Sequence, residues 1–316
     1  MNLAEIINIT LVFSTPLILA ALGGIFSEKS GVVNIGIEGL MVVGAFAAAL
    51  FGYYAEEAGM GAFSPYAGML AAIVLGVLLS AVHAVASITF KADQTVSGVV
   101  INFLAAGLCV YLVKVLFDGS GQTETLQEVF SKVKIPLLGD IPFIGPALFQ
   151  AYPPTYLAYI LVFVAWYALY KMPFGLRLRA VGEHPSAADT VGIKVLRTRY
   201  IGVFISGALS ALGGATITMT TTASFTHNTI SGQGFIAIAA MIFGKWNPLG
   251  AFGAAVFFGF ATSLRNVVQL YDWSARIPQE FIFMLPYVLT ILVLAGAVGR
   301  ARAPAALGEP YDPGKR

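Results

Sequence analysis

Two sets of polar residues sit at helical spacing inside segments that are otherwise apolar. Gln94, Gly98 and Asn102 follow one another at i, i+4 and i+8, and Asn34 and Glu38 at i and i+4. Residues four apart are neighbours on one face of an α-helix. Amides and a carboxylate on such faces do one of two things. They line a path for a polar solute, or they hydrogen-bond a neighbouring helix for about 0.6–2 kcal/mol per contact. Both readings stand for Gln94 and Asn102. A carboxylate inside a span is costly and faces a bundle interior or an aqueous cavity, which favours the path for Glu38; capping its own helix is the competing role. The candidate path set is therefore Asn34, Glu38, Gln94 and Asn102. Thr216, Thr218, Thr220, Thr221 and Thr222 add a hydroxyl-rich run that either lines an outer vestibule or satisfies backbone carbonyls.

No catalytic constellation accompanies them. His83, His184 and His227 are scattered, no HExxH or CxxC occurs, and His83 reads as a packed, hydrogen-bonded residue. Gly244-Lys245 is followed by Trp246 and Gly314-Lys315 by Arg316, so neither forms the GxxxxGK[ST] loop that cradles ATP phosphates. The single Cys109 lies in an apolar run, which excludes intrachain disulfides and predicts a buried thiol. The expectation is a protein that is no enzyme and holds no metal and no cofactor. A proton- or sodium-coupled carrier needs several carboxylates at membrane depth; here Glu38 stands nearly alone.

The elements that position these residues are membrane spans. Hydrophobic residues make up 58% of the 316, charged residues only 11%, and the mean hydropathy is +0.82; soluble domains carry about 25% charged residues. The composition predicts an all-α polytopic membrane protein, one transmembrane domain over residues 1–316. Apolar runs long enough to cross a bilayer number about nine, within eight to ten: 5–26, 35–53, 66–90, 96–117, 155–171, 200–222, 232–245, 249–268 and 281–299. The seventh is short and interrupted by glycine, and either crosses or re-enters. Glu5 and the lack of a basic run beside it predict no cleavable signal peptide. Ala21-Leu22-Gly23-Gly24 and Ala211-Leu212-Gly213-Gly214 each precede a polar, glycine-containing stretch and a small-residue run. That pattern suits an inverted repeat, or chance likeness between Ala/Gly-rich helices.

The charges orient the chain. The loop 171–199 holds six of the 18 Lys and Arg residues. Basic residues near span ends mark the cytoplasmic side. Placing this loop inside also places Lys29, Lys91, Lys245, Arg300, Arg302, Lys315 and Arg316 inside, with the N-terminus out and the C-terminus in. The proline-bearing loop 118–154 is then extracytoplasmic and lies over the outer mouth.

Within the inner loop, Pro185 suits a first helical position and Gly192 a C-terminal stop. A helix this short is marginal alone and must pack on something. Ala187, Ala188 and Val191 would offer a small apolar face to a partner's groove. Arg177, Arg179, Arg197 and Arg199 flank it and would meet partner carboxylates or lipid phosphates.

The run GLRLRAVGEHPSAADTVGIKVLRTR, Gly175 to Arg199, resembles the cytoplasmic coupling segment of ABC-transporter permeases of the branched-chain amino acid, ribose and nucleoside class. SEKSGVVNIGIEGLMVVGAF from Ser27, KADQTVSGVVINFLAAGL from Lys91 and GQGFIAIAAMIFGKWNPLGA from Gly232 resemble the nucleoside and simple-sugar branch in particular. His184 departs from that pattern, which usually has asparagine there. The resemblance implies a multi-pass subunit of a bacterial plasma-membrane importer that moves nucleosides, purine nucleosides foremost, by alternating access. Gly182, Glu183, His184, Pro185, Ala187, Ala188, Asp189 and Gly192 would receive the stroke of a separate cytoplasmic ABC ATPase. An extracytoplasmic solute-binding lipoprotein would deliver the small polar solute, and a second, dissimilar permease would complete a heterodimer. Membrane lipid surrounds such a subunit, and nucleic acid has no part in it. The alternatives are a sugar or branched-chain amino acid permease of the same class, or an ion-coupled secondary carrier using Glu38.

Overall fold

The computed structural model describes residues 3–268, single positions at 278, 281, 284 and 288, and residues 302–313; the side chains of 265 and 266 are outside the description. Eleven helices fall in the first stretch: α1 Leu3–Lys29, α2 Ile37–Glu57, α3 Ser64–Ala84, α4 Gln94–Leu116, α5 Ile144–Leu148, α6 Pro153–Lys171, α7 Pro173–Glu183, α8 Pro185–Thr190, α9 Val195–Ile217, α10 Gln233–Phe243 and α11 Pro248–Val268. π-helical turns prolong α3 over Val85–Thr89 and α9 over Thr218–Thr222. Six of these helices, with their extensions, are long and apolar enough to cross a membrane. They match the first six expected spans. The seventh and eighth spans appear as α10 and α11, which are apolar but shorter by that measure. The ninth, 281–299, lies outside the described residues apart from three single positions, as do Arg276, Arg300, Lys315 and Arg316.

Close approach of small residues sets the core. α9 packs on α1, α2 and α3 together, and α1 packs in turn on α10 and α11. A Cβ on Gly23 of α1 would lie 2.8 Å from the Ser210 hydroxyl, and one on Gly213 of α9 would lie 2.7 Å from the Pro16 carbonyl. Gly44 and Gly214 likewise seat α2 and α9 backbone against backbone, meeting Ala211 and Met41. Helices in lipid gain little from hiding apolar surface, so backbone contact through small residues supplies the association. The two Ala-Leu-Gly-Gly runs thus sit in the α1–α9 crossing, each making contact with the other helix. By contrast α4 and α6 turn large residues such as Phe103, Tyr111, Phe163 and Tyr167 outward.

The loops gather at two ends. At one, Gly182 abuts the Lys29 carbonyl, the Trp246 indole donates to Glu28 at 2.5 Å, and Lys91 pairs with Asp312 at 3.1 Å. The other end collects loop 118–154. There the Glu56 carboxylate accepts the amides of Gln127 and Glu128 at 3.2 and 2.8 Å, and Lys132 reaches Asn8 at 2.6 Å. β1 Val133–Lys134 and β2 Gln150–Ala151 pair antiparallel, with Val133 opposite Ala151. Backbone bonds from Thr123 and Leu126 to Phe225 and Ala223, at 3.0 and 2.8 Å, tie this loop to the stretch after α9.

Candidate functional site

Two stretches of the chain leave helical geometry beside the core: residues 30–36 between α1 and α2, largely buried, and 223–232 between α9 and α10, where Phe225 and Ile230 are buried and His227, Asn228 and Ser231 exposed. Backbone groups shielded from water must find partners. The first stretch finds them on α3 and α4. Val33 N–H donates to Gln94 Oε1 at 2.7 Å. Its carbonyl lies 3.0 Å from His83 Nε2; since a carbonyl only accepts, that nitrogen carries the proton. Asn102 answers both sides of the turn, donating to the Ile35 carbonyl at 3.0 Å and accepting the Gly39 N–H at 2.7 Å. Asn34 reaches the other way and donates to Ser206 of α9 at 3.0 Å. Gly98 allows the fit: a Cβ there would lie 2.9 Å from the Gly36 nitrogen.

Glu38 closes the second stretch. Its two carboxylate oxygens accept the backbone N–H groups of Gly232 and Gly234, each at 2.6 Å. They cap α10, whose first N–H groups have no partner within the helix and whose dipole favours a negative charge there. So Glu38 does cap a helix, but α10 rather than its own. Gly232 takes φ +88°, a left-handed turn suited to glycine, just before the helix starts.

All four residues expected to line a path therefore lie on or against residues 33–39, Gln94 and Asn102 from α4, Asn34 turned to α9 and Glu38 to α10, with most of their capacity engaged. Two side-chain atoms are left over: Asn34 Oδ1 and Gln94 Nε2 are buried and make no hydrogen bond. The hydroxyls of Thr216 and Thr220 bond carbonyls four residues back, at 2.9 and 2.7 Å, and that of Thr218 bonds the Ala45 carbonyl at 3.1 Å. Their part as backbone partners is thus the one seen. Glu28 escaped the sequence reading. Beside Lys29 at a span end it looks like a surface charge, yet it is buried against the Trp246 indole. Among the described residues no cluster of His, Cys, Asp and Glu could hold a metal ion.

The basic loop holds two helices, not one. α7 is prolonged past His184 by α8, which ends at Thr190 ahead of Gly192 with φ +84°. Two expectations need correction. Ala188 does not face a partner: it is buried against Val181 and Val195 of its own chain, while Ala187 and Val191 are exposed. Arg199 is no free cation either. It is 1% exposed and donates to the Glu309 carbonyl at 2.8 Å. The turn of chain from α8 back to α9 draws both inward. Gly182 is buried too, and Glu183 accepts the Ala305 N–H at 3.2 Å. His184, Ala187 and the α8 flank stay open.

A bundle of long apolar helices, with a buried non-helical turn ahead of α2 and the Glu38 carboxylate of α2 joined to the start of α10, defines a multi-pass helical membrane protein with polar groups in its interior. The chain belongs to the family described as branched-chain amino acid transport system / permease component, whose model matches residues 6–294. It is 53% identical to the guanosine ABC transporter permease protein NupQ of Bacillus subtilis, over the full length of both chains at 100% coverage. Identity to the nucleoside ABC transporter permease protein NupC of Lactococcus lactis is 46%, covering 95% of this chain and 94% of that one. A second Bacillus subtilis guanosine permease protein, NupP, is 28% identical over 78% of this chain and 69% of its own.

Proposed function

We propose that this chain is a membrane-spanning subunit of an ATP-driven importer of nucleosides, purine nucleosides foremost. The observation that carries this reading is the full-length identity to guanosine and nucleoside permeases. The ATP is hydrolysed on a separate cytoplasmic ABC ATPase, and a solute-binding lipoprotein delivers the nucleoside from outside. NupQ and NupP are both guanosine permease proteins of Bacillus subtilis yet stand at 53% and 28% identity to this chain, which favours a heterodimer of two dissimilar permeases.

The protein sits in the bacterial plasma membrane, N-terminus out and C-terminus in, with about nine crossings. Support comes from the two clusters of loops: every loop expected inside packs at one end, together with residues 302–313. The stroke arrives on α8 through His184, Pro185, Ala187, Asp189 and Gly192, seated by Gly182, Glu183 and Ala188. The moving part is the pair of broken stretches. Glu38 holds α10 to the start of α2, and Gln94 and Asn102 hold 30–36 to α4. Asn34 Oδ1 and Gln94 Nε2, each buried without a partner, are the groups that gain most from a polar solute, since an unmet buried group costs about 1–3 kcal/mol.

The test is uptake of labelled guanosine into proteoliposomes holding this chain, a second permease and the ATPase, with the binding protein added outside. Uptake that needs ATP and withstands an ionophore supports the reading. Uptake without the ATPase that collapses with the ionophore overturns it in favour of an ion-coupled carrier.

A further inference from the structure

Residues 302–313 are threaded through the end of the bundle that carries α8. Ala306 N–H donates to the Gly182 carbonyl at 2.9 Å, and Gly308 N–H to the Gly31 carbonyl at 3.2 Å. Ala305 N–H donates to Glu183 at 3.2 Å. The buried Arg199 of α9 holds the Glu309 carbonyl at 2.8 Å. Asp312 pairs with Lys91, in the link between α3 and α4, at 3.1 Å. Tyr311 packs on the cluster of Val181, Ala188 and Val195 beneath α8. Six separate anchors, on α7, α8, α9 and the links that follow α1 and α3, make this segment a fixed wall.

That wall faces α8. Ser186, Ala187, Asp189 and Thr190 on one side and Tyr311, Asp312 and Pro313 on the other enclose an open cavity of about 280 Å³. Ala187 and Pro313 are both exposed at its rim. Its volume lies just under the range of about 300–1,000 Å³ usual for small-molecule pockets. It is continuous with α8, the surface proposed above to receive the ATPase.

We infer that the surface receiving the ATPase is composite: α8 forms one wall, Tyr311 to Pro313 forms the other, and a side-chain knob of the ATPase subunit seats between them. This rests on the reading of α8 as the coupling helix. It adds a second contact, and it ties the stroke on α8 to Gly31 and Lys91 at the feet of α1 and α3 through one piece of chain.

Single cysteines at Ala187, Pro313 and, as a control at the opposite end, Ser120 test it, each in a Cys109→Ala background within the assembled transporter. Each carries a short photo-crosslinker. The expected result is cross-linking to the ATPase subunit from 187 and 313 and none from 120. Cross-linking from 187 with none from 313 overturns the composite surface and leaves α8 as the coupling helix. Without a cross-link from 187 the coupling reading itself fails, and the composite surface with it, whatever 313 does.

Discussion

At the scale of single residues, Glu38 is the side chain whose role changed most. Its spacing from Asn34 predicts a shared helix face, but Asn34 lies in the non-helical turn ahead of α2 and turns to Ser206, while Glu38 in the first turn of α2 meets the start of α10. The carboxylate accepts two backbone N–H groups, and charge at a helix terminus contributes about 0.3–2 kcal/mol. Glu38→Gln keeps one acceptor and sets an NH2 against the other N–H. The expected outcome is a marked loss of nucleoside uptake at near-normal membrane levels, read by uptake assay against immunoblot. Equal loss of both would make the contact purely structural. Gly44 gives the opposite case. A side chain there meets the Ala211 backbone with nowhere to go, so Gly44→Val should destabilise by about 1–3 kcal/mol, the usual range for overpacking. A fall in the unfolding temperature in detergent, with or without substrate, checks it.

At the scale of elements, α8 divides into a face that seats it and a face that is open. Ala188 is buried against Val181 and Val195, whereas Ala187 is exposed. Ala187→Asp should uncouple ATP hydrolysis from uptake and leave insertion unchanged. Ala188→Asp buries a carboxylate in an apolar cluster and should lower stability as well, since an unpaired charge there has no compensation. Comparing uptake, ATPase rate and thermal stability for the two variants separates the roles; identical profiles would contradict the division. The elements themselves were largely legible. The first six spans follow from run length, because lipid demands unbroken apolar helices, and the seventh, read as short, is the 11-residue α10. α7 was not foreseen, since its inward positions Gly175, Leu178, Val181 and Gly182 lie among Arg177 and Arg179, which were read only as charge. Glu28 was missed and Arg199 misjudged for one reason: their partners, Trp246 and Glu309, stand far along the chain, and no local pattern encodes a contact across that separation. Ala188 differs, since Val181 and Val195 lie seven residues to either side, and which face of α8 turns to them depends on the turns at His184 and Gly192.

At the scale of the whole molecule, the grouping of loops makes a test of orientation direct. Charge counting places loop 171–199 inside on the strength of Lys and Arg near span ends. The fold adds an independent constraint: the Lys29, Lys91 and Lys245 corners, α7, α8 and residues 302–313 lie at one end, and loop 118–154 at the other. One label therefore reports for its whole end. Cys109 is buried, so a Cys109→Ala chain gives a quiet background. In intact cells, Ser120→Cys should react with a membrane-impermeant maleimide, whereas Ala187→Cys should react only after permeabilisation. Reversal of the pair would invert the molecule and remove α8 from reach of any cytoplasmic ATPase. Reaction of both from outside would mean that the α8 end is open to the exterior, which the positive charge on that end opposes. The predicted pattern leaves the 223–232 stretch entering from outside and the 30–36 stretch from inside. The Glu38 carboxylate joins the start of α2, which follows the inner stretch, to the start of α10, which follows the outer one.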